Sequence, residues 1–361
     1  MTSSTPKWTI AAPVFAGAVL LAAFLHFNMG GLLVACIAIA LGASVFAAVH
    51  HAEVVAHRVG EPYGTLVLAL AVTLIEVALI VSLMVAGGAE AAALARDTVF
   101  AAVMIILNGI IGLCLLVGGL MHREQSFSLD GVSAAMVALG AIVLLTLVFP
   151  NYTLTTPGPF YSSSQLLLIA IVSLVIYGAF VFTQTVGHRQ IFLHEGEQPQ
   201  HDDAHASLPS NAAAALSAAL LMLCLIAVVL LAKKLAPSLE NAVARVGAPN
   251  AVVGVIIAAI VLLPEGMAAV MAARANKLQT SLNLALGSAL ASIGLTIPAI
   301  ALASVWVKGP LVLGLGPLQL ALLALTVVIS VLTVVPGRAT RLQGELHLAV
   351  LAAYVFLSLF P

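Results

Sequence analysis

Charge is what this chain has least of. Of its 361 residues only 7% are Asp, Glu, Lys or Arg, divided into 14 acids and 13 bases for a formal net charge of −1. An average soluble domain has about a quarter of its residues charged, so an ordinary water-exposed surface is excluded. The near-balance gives no argument for nucleic-acid binding. Cysteine is scarce too: Cys36, Cys114 and Cys224 lie in apolar runs with no CxxC or His-containing metal spacing. They read as small buried hydrophobes. HExxH, GxSxG and a paired intramembrane Asp motif are absent, which argues against an enzyme.

What remains is hydrocarbon. The chain is 62% hydrophobic with mean hydropathy +1.18, the profile of an all-α polytopic membrane protein. Runs bounded by Gly, Pro, Asn or charge predict about eleven transmembrane helices, over 9–28, 31–50, 64–86, 98–120, 131–149, 164–186, 211–232, 250–273, 281–303, 310–335 and 343–360. They are continuous rather than alternating and too long for barrel strands. The first follows Lys7 and reads as a membrane helix, not a cleaved leader. One connection is long and polar, His188 to Asn211, and separates spans 1–6 from spans 7–11.

The expected organisation is an N-terminal helix outside the repeats (1–30), a first transmembrane repeat (31–187), a polar linker (188–210) and a second repeat (211–361). Lys and Arg set the orientation. With the N-terminus cytoplasmic, Lys7, Arg58, Arg123, Arg189, Arg274, Lys277, Arg338 and Arg341 face the cytoplasm. Arg96, Lys233, Lys234, Arg245 and Lys308 face the other way. Eight against five favours a multi-pass cytoplasmic (inner) membrane protein whose N-terminus and linker are cytoplasmic.

Two acids break the apolar pattern. Glu76 interrupts LVLALAVTLIEVALIVSLM, with Thr73 about a turn earlier, and Glu265 interrupts VVGVIIAAIVLLPEGMAAVMAA. The other twelve fall in loops or at helix ends. An ionisable side chain at mid-span costs at least about 2.5 kcal/mol, so it marks function. Each glutamate lies on the second helix of a five-helix half, and an odd helix count makes two such halves enter the membrane in opposite senses. That is the inverted repeat in which secondary transporters bind substrate near the midplane.

A carboxyl removed from water is stable either protonated or with a cation against it. If both acids share one cavity, protons and metal ions compete for the same oxygens, which is antiport chemistry. Two carboxylates match one Ca²⁺, which takes six to eight oxygens. Thr73, Asn108, Asn283, Ser288 and Ser292 can supply neutral oxygens. Pro264 lacks an N–H, which frees the Ile260 carbonyl and predicts a broken helix beside Glu265.

The segments FAAVHHAEVVAHRVGEPYGTLVLALAVTLIEVALI and PEGMAAVMAARANKLQTSLNLALGSALASIGLTIP resemble the two alpha-repeat regions of the cation/calcium exchanger superfamily. The likeness is to its calcium/proton exchanger branch, and within it to the bacterial sodium/potassium/calcium–proton antiporters. It implies that Glu76 and Glu265 bind cation and proton, that Asn108 and Ser288 are the polar positions of the following helices, and that Glu53 is the acid preceding the first repeat helix. Those exchangers commonly carry Gly-Asn before each glutamate. Here Val72-Thr73 and Leu262-Leu263-Pro264 stand instead, which removes amide ligands and admits Na⁺ or K⁺ as cargo.

Lesser features stay open between two readings. His50, His51, Glu53 and His57 form either a proton relay or gate, centred on Glu53, His50 and His57, or an interfacial cap. The linker residues His194, Glu195, His201, Asp202, Asp203 and His205 either bind a regulatory metal or belong to a solvated tether. The expected function is export of Ca²⁺ and/or Na⁺, with K⁺ as a further candidate cargo, in exchange for H⁺ by alternating access around the two glutamates. No cofactor is expected, and the partners are lipids and the transported cations and protons. A cation channel using the same acids as a selectivity site is the rival.

Overall fold

The computed structural model describes residues 6–25, 31–60, 63–87, 92–192, 209–304 and 311–360. The chain is almost entirely helical: α1 Lys7–Phe24, α2 Gly31–Val59, α3 Tyr63–Gly87, α4 Leu94–Met104, α5 Ile111–His122 and α6 Leu129–Val143. There follow α7 Ser163–Phe182, α8 Asn211–Arg245, α9 Ala251–Arg274, α10 Leu278–Ala303, α11 Pro317–Val334 and α12 Arg341–Leu359. A π-helical segment, Ile105–Ile110, joins α4 to α5, so that pair forms one membrane pass.

Among the described residues, ten helices are long and apolar enough to cross a membrane, and α3 carries the apolar stretch Val67–Ser82. These match the eleven expected spans one for one. The reason is that hydrocarbon offers no hydrogen bonds, so each pass must satisfy its own backbone as a helix.

Three element limits differ from expectation. Helix α2 runs nine residues past 50 and α8 continues through Lys233 and Lys234, because the next helix-ending glycines are Gly60 and Gly247, both at positive φ. At 1.5 Å per residue the 35-residue α8 is about 52 Å long, well beyond a ~30 Å hydrocarbon core. Helix α11 begins at Pro317 rather than near 310. The apolar residues Leu313 and Leu315 are instead buried in irregular backbone, where Leu313 N–H bonds to Pro159 O (3.1 Å) and Leu315 N–H to Leu147 O (2.9 Å). Nearby, Tyr161 donates its hydroxyl to the Leu145 carbonyl, and burial pushes the phenol up to about 12.

The helices group into two compact units, Met1–Gly87 with Pro199–Gly247, and Gly88–Gln198 with Ala248–Pro361. The first holds α1, α2, α3 and α8. There α8 packs along α2, Lys234 Nζ stands 4.5 Å from the centre of the Phe24 ring, and Arg58 Nε donates to Asn211 Oδ1 (2.9 Å). The second holds the remaining helices. In it the short antiparallel strands β1 Glu124–Ser126 and β2 Arg338–Thr340 pair, pinning the end of α5 to the start of α12. Gln125 extends the clamp by donating to Ala273 O (3.1 Å) and Asn276 Oδ1 (2.8 Å) at the end of α9.

Candidate functional site

In the first unit, α3 carries Thr73 and Glu76 three residues apart, hence on one helix face. Glu76 is 3% and Thr73 4% exposed. The Thr73 hydroxyl is buried and, among the described residues, has no hydrogen-bond partner. Buried hydroxyls almost always find a partner, so such a group calls for a ligand or a water.

The cluster at the end of α2 is sorted by burial. Glu53 and His57 are exposed and His50 is partly exposed, with its ring 6.0 Å from that of Trp8. The fully buried member is His51, the one residue of the cluster outside the trio on which the relay reading centres. Its Nε2 reaches Thr9 O (3.2 Å) and its Nδ1 reaches Ser217 Oγ (3.4 Å), tying α1, α2 and α8 together. The linker candidates His194, Glu195, His201, Asp202, Asp203 and His205 lie outside the described residues.

In the second unit, Glu265 is partly buried on α9. The helix runs unbroken from Ala251 to Arg274 with Pro264 inside it, so the expected break is absent. Proline deletes one ladder bond, and in membrane helices neighbouring helices and small local adjustments absorb that loss without interrupting the helix. One residue on, a Cβ built on Gly266 would stand 3.3 Å from Ile110 Cδ1 and Cγ1. The Glu265 turn therefore presses on the π segment that contains Asn108.

That segment is wide because Ile111 N–H bonds to Ile106 O, five residues back. Such single-turn bulges are frequent at functional sites. Asn108, fully buried, crosses to two other helices: its Nδ2 donates to Thr326 Oγ1 on α11 (3.0 Å), and its Oδ1 faces His347 Nδ1 on α12 (3.2 Å). His347 Nε2 in turn meets Thr333 Oγ1 (3.1 Å). His347, 1% exposed, is a buried ionisable residue that sorting the acids alone passes over.

The second-half polar residues divide by role. Asn283 donates to Phe192 O (2.6 Å) and accepts from Gln279 (2.9 Å), which ties α10 to the chain after α7. Ser292 is buried on α10, and Ser288 is partly buried on the same helix. At the start of α4, Asp97 is buried against Arg96 (2.8 Å) and accepts from Gln319 (3.2 Å), a tie between α4 and α11. No cluster of three or more His, Cys, Asp or Glu able to hold a metal occurs among the described residues.

Comparison with known proteins is consistent over nearly the full length. The chain is 48% identical over 359 residues to a Sinorhizobium fredii protein named ionic transporter y4hA, covering 99% of this chain and 97% of that one. It is 38% identical over 313 residues to the sodium-potassium/proton antiporter ChaA of Escherichia coli, covering 86% and 84%. The native YfkE structure superposes with a TM-score of 0.73 at 18% identity over 98% of this chain and 100% of that one. The H⁺/Ca²⁺ exchanger CAX does so with a TM-score of 0.69 at 14% identity over 97% and 92%. At such identities these two show the fold alone. The model of the sodium/calcium exchanger protein family matches residues 27–186 and 216–360, so the chain, a polytopic membrane protein, belongs to that family of ion exchangers.

Proposed function

We propose that this chain is a secondary cation/proton antiporter of the cytoplasmic membrane. It exports Ca²⁺ or Na⁺, with K⁺ as a further candidate, in exchange for H⁺, and Glu76 and Glu265 take up and release both kinds of ion through alternating access. Membership of the exchanger family and the 38% identity to a sodium-potassium/proton antiporter support the reaction class. The observation that carries the residue assignment is the buried Thr73 hydroxyl, without a hydrogen-bond partner among the described residues, one turn from buried Glu76. A carboxylate with a neutral oxygen beside it on one helix face is a hard-cation ligand pair. Protonated Glu76 needs no cation, so loading a proton unloads the metal.

Thr73 is then the neutral ligand beside Glu76 on α3, and Ser288 and Ser292 on α10 are the candidate neutral oxygens of the second unit. Asn108 and Asn283 already spend their amides on neighbouring helices. The count of eight cytoplasmic Lys and Arg against five supports a cytoplasmic N-terminus and linker.

Everted vesicles carrying wild type, Glu76→Gln or Glu265→Gln, assayed for Ca²⁺/H⁺ and Na⁺/H⁺ exchange, test this. Gln keeps size and hydrogen bonding but releases no proton, so both variants lose coupled exchange with either ion. Full activity in either removes that acid from the mechanism. Cation flux without obligatory proton counter-movement in the wild type would establish the channel instead.

A further inference from the structure

We infer that His347 is a positioning residue for exchange: acting through Asn108, it sets the wide helical turn that abuts the Glu265 turn of α9. This rests on the reading that Glu265 works in exchange. Three observations carry it, all within one compact unit.

The bond directions follow from the orientation of the Asn108 amide. Asn108 Nδ2 faces Thr326 Oγ1, so Oδ1 faces His347, and a carbonyl oxygen only accepts. His347 therefore holds its proton on Nδ1, and Nε2 accepts from the Thr333 hydroxyl. A polarised chain runs Thr333, His347, Asn108, Thr326 across α12, the π segment and α11.

The surroundings make that chain specific. His347 borders a cavity of about 20 Å³ lined mainly by apolar residues such as Ile111, Leu115, Leu282 and Leu286, with the hydroxyls of Ser330 and Thr333 and with no acid or other base. With no second acid or base at hand, the Asn108 amide takes its orientation from His347 on one side and Thr326 on the other.

The third observation links the chain to the carboxylate. Asn108 sits inside the π segment, Ile110 of that segment meets Gly266, and Gly266 adjoins Glu265. A bulge holds one residue outside the i→i−4 ladder and relaxes into an ordinary helix by a register shift. Bonds from Asn108 to two other helices oppose that shift. Without them Ile110 moves, and the Glu265 turn moves with it.

Cation titrations of exchange in vesicles, with half-saturation and maximal rate per folded transporter measured separately, test the inference. His347→Leu removes both ring bonds, and half-saturation rises about ten-fold with the maximal rate within about two-fold. His347→Asn places an amide N–H where Nδ1–H stands and returns both values to within about two-fold of wild type. Thr326→Val cuts the far end of the chain without changing volume and shifts half-saturation in the same direction as His347→Leu. It carries the result if the leucine variant does not fold. Wild-type half-saturation in Thr326→Val, or in folded His347→Leu, would overturn the inference, as would His347→Asn as defective as His347→Leu. A wild type without coupled exchange would overturn the antiport reading itself, which is a different outcome.

Discussion

Gly112 and His347 touch across two helices: a Cβ on Gly112 would stand 3.0 Å from the His347 Cβ and 3.1 Å from Leu348 Cγ. Helices α5 and α12 thus meet through a glycine at the turn that carries the buried histidine. From the other side, a Cβ on Gly344 would press into the backbone, 2.7 Å from Gly112 O. Small residues let membrane helices approach this closely, and van der Waals contact then holds them.

The first prediction follows. Gly112→Ala needs a shift of a few tenths of an ångström at His347 and Leu348, whereas Gly344→Ala would run into the main chain of Leu116 and Gly112. Gly112→Ala should cost about 1 kcal/mol and Gly344→Ala about 3 kcal/mol, in the overpacking range. Thermal unfolding in detergent, followed by size-exclusion elution, gives the order. Equal stability of the two variants would contradict the packing.

Thr73 supplies a contrast between hydroxyl and shape. Thr73→Val preserves volume and removes the oxygen, and should raise half-saturation for the cation about ten-fold. Thr73→Ser keeps the oxygen and should remain within about three-fold of wild type. A valine variant that titrates like wild type would show that the unpartnered hydroxyl is not a ligand.

His51 is assigned a structural duty. It joins α1 to α2 and α8 through Thr9 and Ser217, so His51→Ala should cost about 2–4 kcal/mol by opening a cavity and stranding two polar groups. Ser217→Ala should cost about 1 kcal/mol. Exchange per folded molecule stays unchanged in both. Loss of exchange in folded Ser217→Ala would reassign this cluster to transport.

Pro264 interrupts the hydrogen-bond ladder of α9 without breaking the helix. Pro264→Ala restores the N–H that bonds the Ile260 carbonyl, and should raise thermal stability while slowing exchange severalfold if that carbonyl serves the cation. Faster exchange with the stiffened helix would exclude the carbonyl as a ligand.

Charge balance provides the last prediction. Two protons exchanged for one Ca²⁺ move no net charge, so Ca²⁺ flux should follow ΔpH. It should ignore an imposed potential, although 100 mV supplies about 2.3 kcal/mol per charge. Flux that rises steeply with voltage would require another stoichiometry.

Much of this was legible in the residues. The eleven passes were readable because hydrocarbon permits only self-satisfied backbone, and Glu76 stood out because ionisable groups are rare inside such runs. Element ends were less legible. The apolar residues 311–315 look like helix but run as irregular chain bonded to Pro159 and Leu147, a contact between distant segments. His347 carried a signal of the same kind as the glutamates, an ionisable group in an apolar span, yet its partners Asn108 and Thr333 lie 239 and 14 residues away.

By itself the sequence determined the membrane class, the helix count and the two acids interrupting apolar runs, since each follows from local composition set against the hydrophobic thickness of a bilayer. Only the tertiary structure decided which polar groups find one another across helices. It joined Asn283 to Phe192, Asn108 to His347 and Thr326, and His51 to Thr9 and Ser217, while the Thr73 hydroxyl has no partner among the described residues. Hydrogen bonding is settled by distance and direction between helices far apart in the chain, and no spacing along one strand of residues contains that information.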